Sequence, residues 1–121
     1  MHRFESLDIW QLAIQYGVNI YKMTKKFPKD ELYSLTNQMR RAAVSVSSNI
    51  AEGSGASSSR DFAKFLDIAI KSNMETISQT IFAEKMEYIT GTERELSINE
   101  GTTLLKKIRS FKQYIEKTIT H

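Results

Sequence analysis

Cysteine is absent from this chain, proline occurs once (Pro28), and there are only five glycines and two histidines. Without cysteine there is neither a disulfide nor a thiolate metal site, which suits a reducing compartment and makes the cytoplasm the expected location. So few helix breakers over 121 residues favour long helices over many short strands. The histidines, His2 and His121, stand at the two ends, where neither is expected to be held as a general base or metal ligand. No apolar run approaches the length of a membrane span. The opening stretch, MHRFESLDIWQLAIQ, carries Glu5 and Asp8 and no uninterrupted apolar region, so it does not read as a secretory signal.

What is present is ordinary globular composition, 40% apolar and 26% charged, on a chain that reads as a single domain over 1–121. The net charge of +3 is unevenly spread. Residues 1–41 hold seven Lys/Arg against four Asp/Glu, residues 42–105 five against nine, and residues 106–121 five against one. Basic ends around an acidic middle suit either nucleic-acid affinity at one face or complementary surfaces that pair helices or subunits.

Apolar spacing predicts four helices. The first runs from about Leu7 to Lys25, with Leu7, Trp10, Ile14, Val18 and Tyr21 as its expected core stripe, and ends at Phe27-Pro28 because the residue before proline avoids helical backbone. The second runs from Lys29 or Asp30 to about Glu52, with Gly53 and Gly55 able to take the left-handed conformation that closes a helix. The third starts with Ser58 as N-cap and Asp61 three residues later, shows Phe62, Leu66, Ile70, Ile77 and Ile81 to the core, and ends at Thr90-Gly91. The fourth begins near Thr92 and runs to about Thr118, with Leu104, Ile108, Phe111, Ile115 and Ile119 on one side. Short connections make neighbours antiparallel. The expected fold is all-α, an up-down-up-down antiparallel four-helix bundle. The aromatic set Phe4, Trp10, Tyr16, Tyr21, Phe27 and Tyr33 is expected to serve core and helix-end packing.

Two surfaces stand out. On the second helix Gln38, Arg41, Ser45, Asn49 and Glu52 share an arc roughly 100° wide, beside the core stripe of Leu35, Met39, Ala43, Val46 and Ile50. Small Ala42 and Ser45 would let another helix come close. Ser72, Asn73 and Glu75 of an antiparallel third helix lie at a plausible height to answer. The favoured reading is a hydrogen-bond network that sets the register of helices or subunits; a solvated polar face and a ligand or catalytic site are the alternatives. On the fourth helix Lys106, Arg109 and Lys117 fall roughly 140–220° from Leu104, flanked by Lys107 and Lys112. With Lys22, Lys25, Lys26 and Lys29 at the end of the first helix, these are candidate phosphate contacts; a plain solvated face is the alternative. No constellation for catalysis, metal binding or a cofactor emerges. The paired Glu-x-x-His motif of di-iron bundles is missing, and the Gly-Ser-Gly at 53–55 is not a phosphate loop.

Three segments, FESLDIWQLAIQ (4–15), FPKDELYSLTNQMRRAAVSVSSNIAEG (27–53) and RDFAKFLDIA (60–69), resemble the four-helix bundle family of 23S rRNA intervening-sequence proteins. Leu35, Gln38, Arg41, Ala42, Ala43, Ser45, Asn49, Ile50, Ala51, Glu52 and Gly53 match its central motif. The resemblance implies a bacterial cytoplasmic protein that forms a homopentameric ring, with no enzymatic activity. A related group of retroelement accessory proteins is similar in fold and binds nucleic acid and a reverse transcriptase. The expected partners are therefore further copies of the chain and RNA or DNA. A protein-interaction scaffold without nucleic acid is the alternative, and a hydrolytic or metal enzyme lacks a ligand set.

Overall fold

The computed structural model describes residues 1–117. Ile119 and His121, named above, and the end of the fourth helix at Thr118 lie outside the described residues. Four helices carry the fold: α1 (Asp8–Thr24), α2 (Leu35–Ser54), α3 (Ser59–Lys85) and α4 (Gly91–Lys117). Each packs on the next and α4 closes on α1, the loosest of the four seams, giving an antiparallel up-down-up-down bundle.

The buried stripe of α1 is Ile9, Ala13, Tyr16 and Ile20, with Gly17 and Thr24, and not the row read from the sequence. Leu7 and Trp10 lie partly buried against the core, while Ile14, Val18 and Tyr21 are exposed. This helix has two apolar rows centred about 130° apart. The row with the larger side chains looks more like a core, but α2 approaches over Gly17 and Ala43 and covers the smaller one. On α2 all five expected core residues are buried. On α3 Phe62 and Leu66 are buried, but Ile70, Ile77 and Ile81 only partly so. Ala69, Asn73, Thr76, Thr80 and Ala83 fill the second half of its inner face with no exposure at all. Thr76 and Thr80 satisfy their hydroxyls on the carbonyls of Ser72 and Thr76, one turn back. On α4 Leu104, Ile108 and Ile115 are buried, with Phe111 packed beside them. Each fully buried Leu or Ile contributes about 1.5–3 kcal/mol of transfer free energy.

Helix ends depart from the expected ones for identifiable reasons. Pro28 opens a short 3-10 turn (Lys29–Glu31), and Ser34 adopts φ −127°, ψ −108°, so α2 starts at Leu35. Neither Gly53 nor Gly55 is left-handed. Gly53 lies within α2, where a Cβ would stand 2.7 Å from Phe62 Cδ1 and 2.8 Å from Phe65 Cβ, so its role is close approach of α3. Ser58 does cap α3, its hydroxyl accepting from the Asp61 N–H at 3.1 Å. That helix stops at Lys85, earlier than Thr90-Gly91, because Glu87 takes φ 64° and the Tyr88 N–H donates back to the Ala83 carbonyl at 3.0 Å. Thr90 caps α4 reciprocally: its N–H donates to Glu93 Oε1 (2.9 Å) and its Oγ1 accepts from the Glu93 N–H (3.1 Å).

Candidate nucleic-acid interface

Antiparallel packing decides where the cations go. Lys26 at the end of α1 pairs with Glu93 at the start of α4. At the other end Ser6–Ile9 and Lys106, Lys107, Ser110 and Phe111 line one cavity of about 670 Å³. The two basic sets are therefore at opposite ends of the bundle, separated by the length of α1, about 25 Å. They form two patches and not one.

Within each set some charges are committed inside the protein. Lys112 reaches Asp67 at 3.0 Å and Glu116 at 3.4 Å, and is only 22% exposed. Hydrogen bonding to Asp67 raises its pKa above the ordinary lysine value, against the opposing effect of desolvation. Lys106, Lys107 and Arg109 are exposed and make no ion pair among the described residues, and the same holds for Lys22, Lys25 and Lys29. Lys117 is exposed at the end of α4.

The polar row of α2 divides. Ser72 on α3 donates to Ser45 Oγ at 2.9 Å. Asn49 Nδ2 donates to Ser45 Oγ at 3.0 Å and to the Ser45 carbonyl at 2.8 Å. These three residues meet at the α2–α3 seam, half-buried. Gln38, Arg41 and Glu52 are exposed, and Glu75 is exposed and accepts from Gln79 Nε2 at 3.0 Å on its own helix. Asn73 turns the other way: it is fully buried and its Nδ2 donates to the Gly101 carbonyl of α4 at 3.3 Å. Gln38 also lines a groove of about 380 Å³ between α2 and α3, with Glu31, Leu35, Gln79, Phe82 and Met86 among its walls.

Arg40 was not singled out from the sequence. Its Nε donates to Thr24 Oγ1 at 2.9 Å, and its guanidinium sits 4.7 Å from the centre of the Tyr21 ring. Tyr21 and Tyr33, expected to pack, are 41% and 90% exposed. The signal available in sequence was the second apolar row of α1, with Tyr21 at its end and basic residues following. Phe4, Trp10, Tyr16 and Phe27 do pack, with ring centroids 5.0 Å apart for Phe4–Trp10 and 5.3 Å for Phe27–Tyr88.

Among the described residues no three His, Cys, Asp or Glu side chains gather as a metal site, and no helix is long and apolar enough to cross a membrane. His2 is exposed beside Phe4. Tyr16 is buried, and burial, with Glu100 as a second cause, pushes its phenol well above the ordinary tyrosine range. Fold and surface thus define a small four-helix bundle with two basic patches and a polar row on α2. The family model for 23S rRNA-intervening sequence protein matches residues 5–110, and the chain belongs to that family. A solved structure of an S23 ribosomal protein family member of unknown function from Bacteroides thetaiotaomicron VPI-5482 is 27% identical. The match has a TM-score of 0.77 and covers 85% of this chain and 96% of that one. No curated protein matches.

Proposed function

We propose that the protein is a non-enzymatic, homo-oligomeric bundle that binds nucleic acid, RNA in the first place, through its basic surface. The observation that carries this reading is the division among the cations. Lys26 and Lys112 are neutralised within the fold, while Lys106, Lys107 and Arg109 are exposed within one turn of α4 with no acidic partner among the described residues. Charges left in this way are suited to phosphates, whose binding releases condensed counterions. Membership of a family named for rRNA intervening sequences favours RNA by association alone.

Self-association is supported by a second surface. Phe82 and Met86, a short apolar row at the end of α3, are 55% and 46% exposed and line one groove with the exposed Gln38 of α2. An apolar row beside unpaired polar groups suits contact between subunits. A homopentameric ring, as the resemblance implies, would repeat each basic patch five times and raise avidity. The same row favours the second reading, a protein-interaction scaffold without nucleic acid.

The experiment is a charge reversal at all three positions, Lys106→Glu, Lys107→Glu and Arg109→Glu, with RNA affinity and melting temperature measured together. The expected result is a loss of affinity of tenfold or more with little change in melting, since exposed unpaired lysines contribute little to stability. Unchanged affinity would move the phosphate contacts off α4, and absence of binding in the parent protein would leave the scaffold.

A further inference from the structure

We propose that the end of the bundle where α1 passes into α2 binds single-stranded nucleic acid, with the Tyr33 and Tyr21 rings stacking on unpaired bases and Lys22, Lys25 and Lys29 holding the phosphates. This rests on the nucleic-acid reading above, adds a contact at the opposite end of the bundle from the α4 cations, and names the form of nucleic acid it takes.

Four observations meet there. Tyr33, in the turn just before α2, is 90% exposed, and among the described residues its ring stacks on no other ring and lies under no cation. A large amphipathic ring held in water is the kind of group on which bases stack. Tyr21, on the last turns of α1, is also exposed and lies under the Arg40 guanidinium at 4.7 Å. That guanidinium is fixed from behind by Thr24 Oγ1 (2.9 Å) and by the Tyr21 carbonyl (3.5 Å), so its plane is preset as an additional stacking surface. The lysines are the third. Lys22, Lys25 and Lys29 are exposed with no ion pair among the described residues, whereas Lys26 between them is taken by Glu93.

The fourth is the state of the acidic side chains. Glu31 accepts from Tyr88 Oη at 2.6 Å and is turned into the bundle, which leaves Asp30 as the acid on the outer side of this turn. The local field therefore favours an anion. Stacking decides the form. In a duplex the base faces are covered by their neighbours, and a tyrosine ring reaches them only where bases are unpaired. Tyr114 on α4 is exposed as well, but its ring leans on Phe111 with centroids 6.2 Å apart.

The test is fluorescence anisotropy with a labelled unstructured RNA of about twelve nucleotides, a length within the usual range of single-strand sites, beside an RNA duplex of the same length. The parent protein is compared with Tyr33→Ala, Tyr33→Phe and the double variant Lys22→Ala/Lys25→Ala. Tyr33 is exposed, so its replacement should leave the melting temperature unchanged and report on binding alone. Tyr33→Ala is expected to weaken single-strand binding about 5- to 100-fold, with duplex binding and the salt slope unaltered. Tyr33→Phe keeps the ring and should bind as the parent does. The lysine pair should instead flatten the slope of log affinity against log salt, by about 0.7 per charge. If the parent binds RNA with a steep salt slope but Tyr33→Ala matches it, the stacking site is wrong while the nucleic-acid reading stands. If the parent binds neither RNA at low salt, both fall.

Discussion

Tyr88 and Glu31 tie the two loops at one end of the bundle through a 2.6 Å hydrogen bond. That bond is the first cause, ahead of desolvation, of the rise in the Tyr88 pKa from 10.0 to about 12. The neutral phenol is therefore favoured by the fold. The contribution is fully present below the unfolded value near 10 and is lost as pH climbs through about 12. Titrating tyrosinate absorbance should show a late-ionising phenol that disappears in Tyr88→Phe; an identical titration curve in that variant would remove the tie. Buried Tyr16 should also ionise late, so Tyr88→Phe shortens the alkaline tail without abolishing it. Little at this scale could be read in advance. Tyr16 and Tyr21 both lie at helical spacing on apolar rows, and nothing local says that one is wholly buried and the other exposed. The difference is made by the neighbouring helices: Tyr16 reaches in against Gly101 of α4, where an added Cβ would stand 2.7 Å from its hydroxyl, while Tyr21 lies on the outer row.

Between elements, closeness is set by small residues. At Gly53 an added Cβ would collide with Phe65 Cβ at 2.8 Å, an atom that no rotamer change can move. Alanine gains about 1 kcal/mol in helix propensity, but the overpacking costs about 1–3 kcal/mol. Gly53→Ala should thus lower the melting temperature. Gly91→Ala, with nothing within 4 Å, should not, and equal melting of the two would refute the close-approach account. Glu87, at φ 64°, is the opposite case. Left-handed backbone costs a residue with a Cβ about 1–2 kcal/mol, so Glu87→Gly is expected to raise the melting temperature by a few degrees. A lower one would mean that the Glu87 side chain matters more than its backbone.

Helix number, order and the α2 core were legible in the sequence because Leu35, Met39, Ala43, Val46 and Ile50 form a single row with no competitor. The end of α3 was not, because the closing residue is a glutamate where a glycine is the usual signal. The core of α3 was half legible, since Thr76 and Thr80 satisfy their hydroxyls one turn back and Asn73 donates across to the Gly101 carbonyl of α4, so all three are buried where hydropathy alone would place them outside.

For the molecule as a whole, the polar row of α2 is where the proposed assembly would meet the fold. Ser45, Asn49 and Ser72 close on one another within the chain, while Gln38, Arg41 and Glu52 are exposed, Gln38 beside Phe82 and Met86. In the proposed oligomer these outward groups would lie at the subunit contact, with the α2–α3 seam setting their register. Replacing Arg41 and Glu52 with alanine should then lower the solution mass by light scattering, with a smaller effect on the melting of the protomer. An unchanged mass would put the contact elsewhere. In the sequence these residues looked like one network, because an arc on a helical wheel does not reveal which members meet a neighbouring helix. The nine candidate lysines and arginines likewise formed two clusters in sequence, and only antiparallel packing shows that they occupy opposite ends and that Lys26 and Lys112 are already paired.

The central claim is that phosphate contact through unpaired cations is what this bundle does. The most direct measurement is the affinity of the intact protein for a structured RNA across a series of salt concentrations, with the solution mass recorded in the same buffers. The account predicts an oligomer whose log affinity falls steeply and linearly with log salt, by about 0.7–0.9 per phosphate neutralised. Binding that ignores salt, or no binding at low ionic strength, would contradict it.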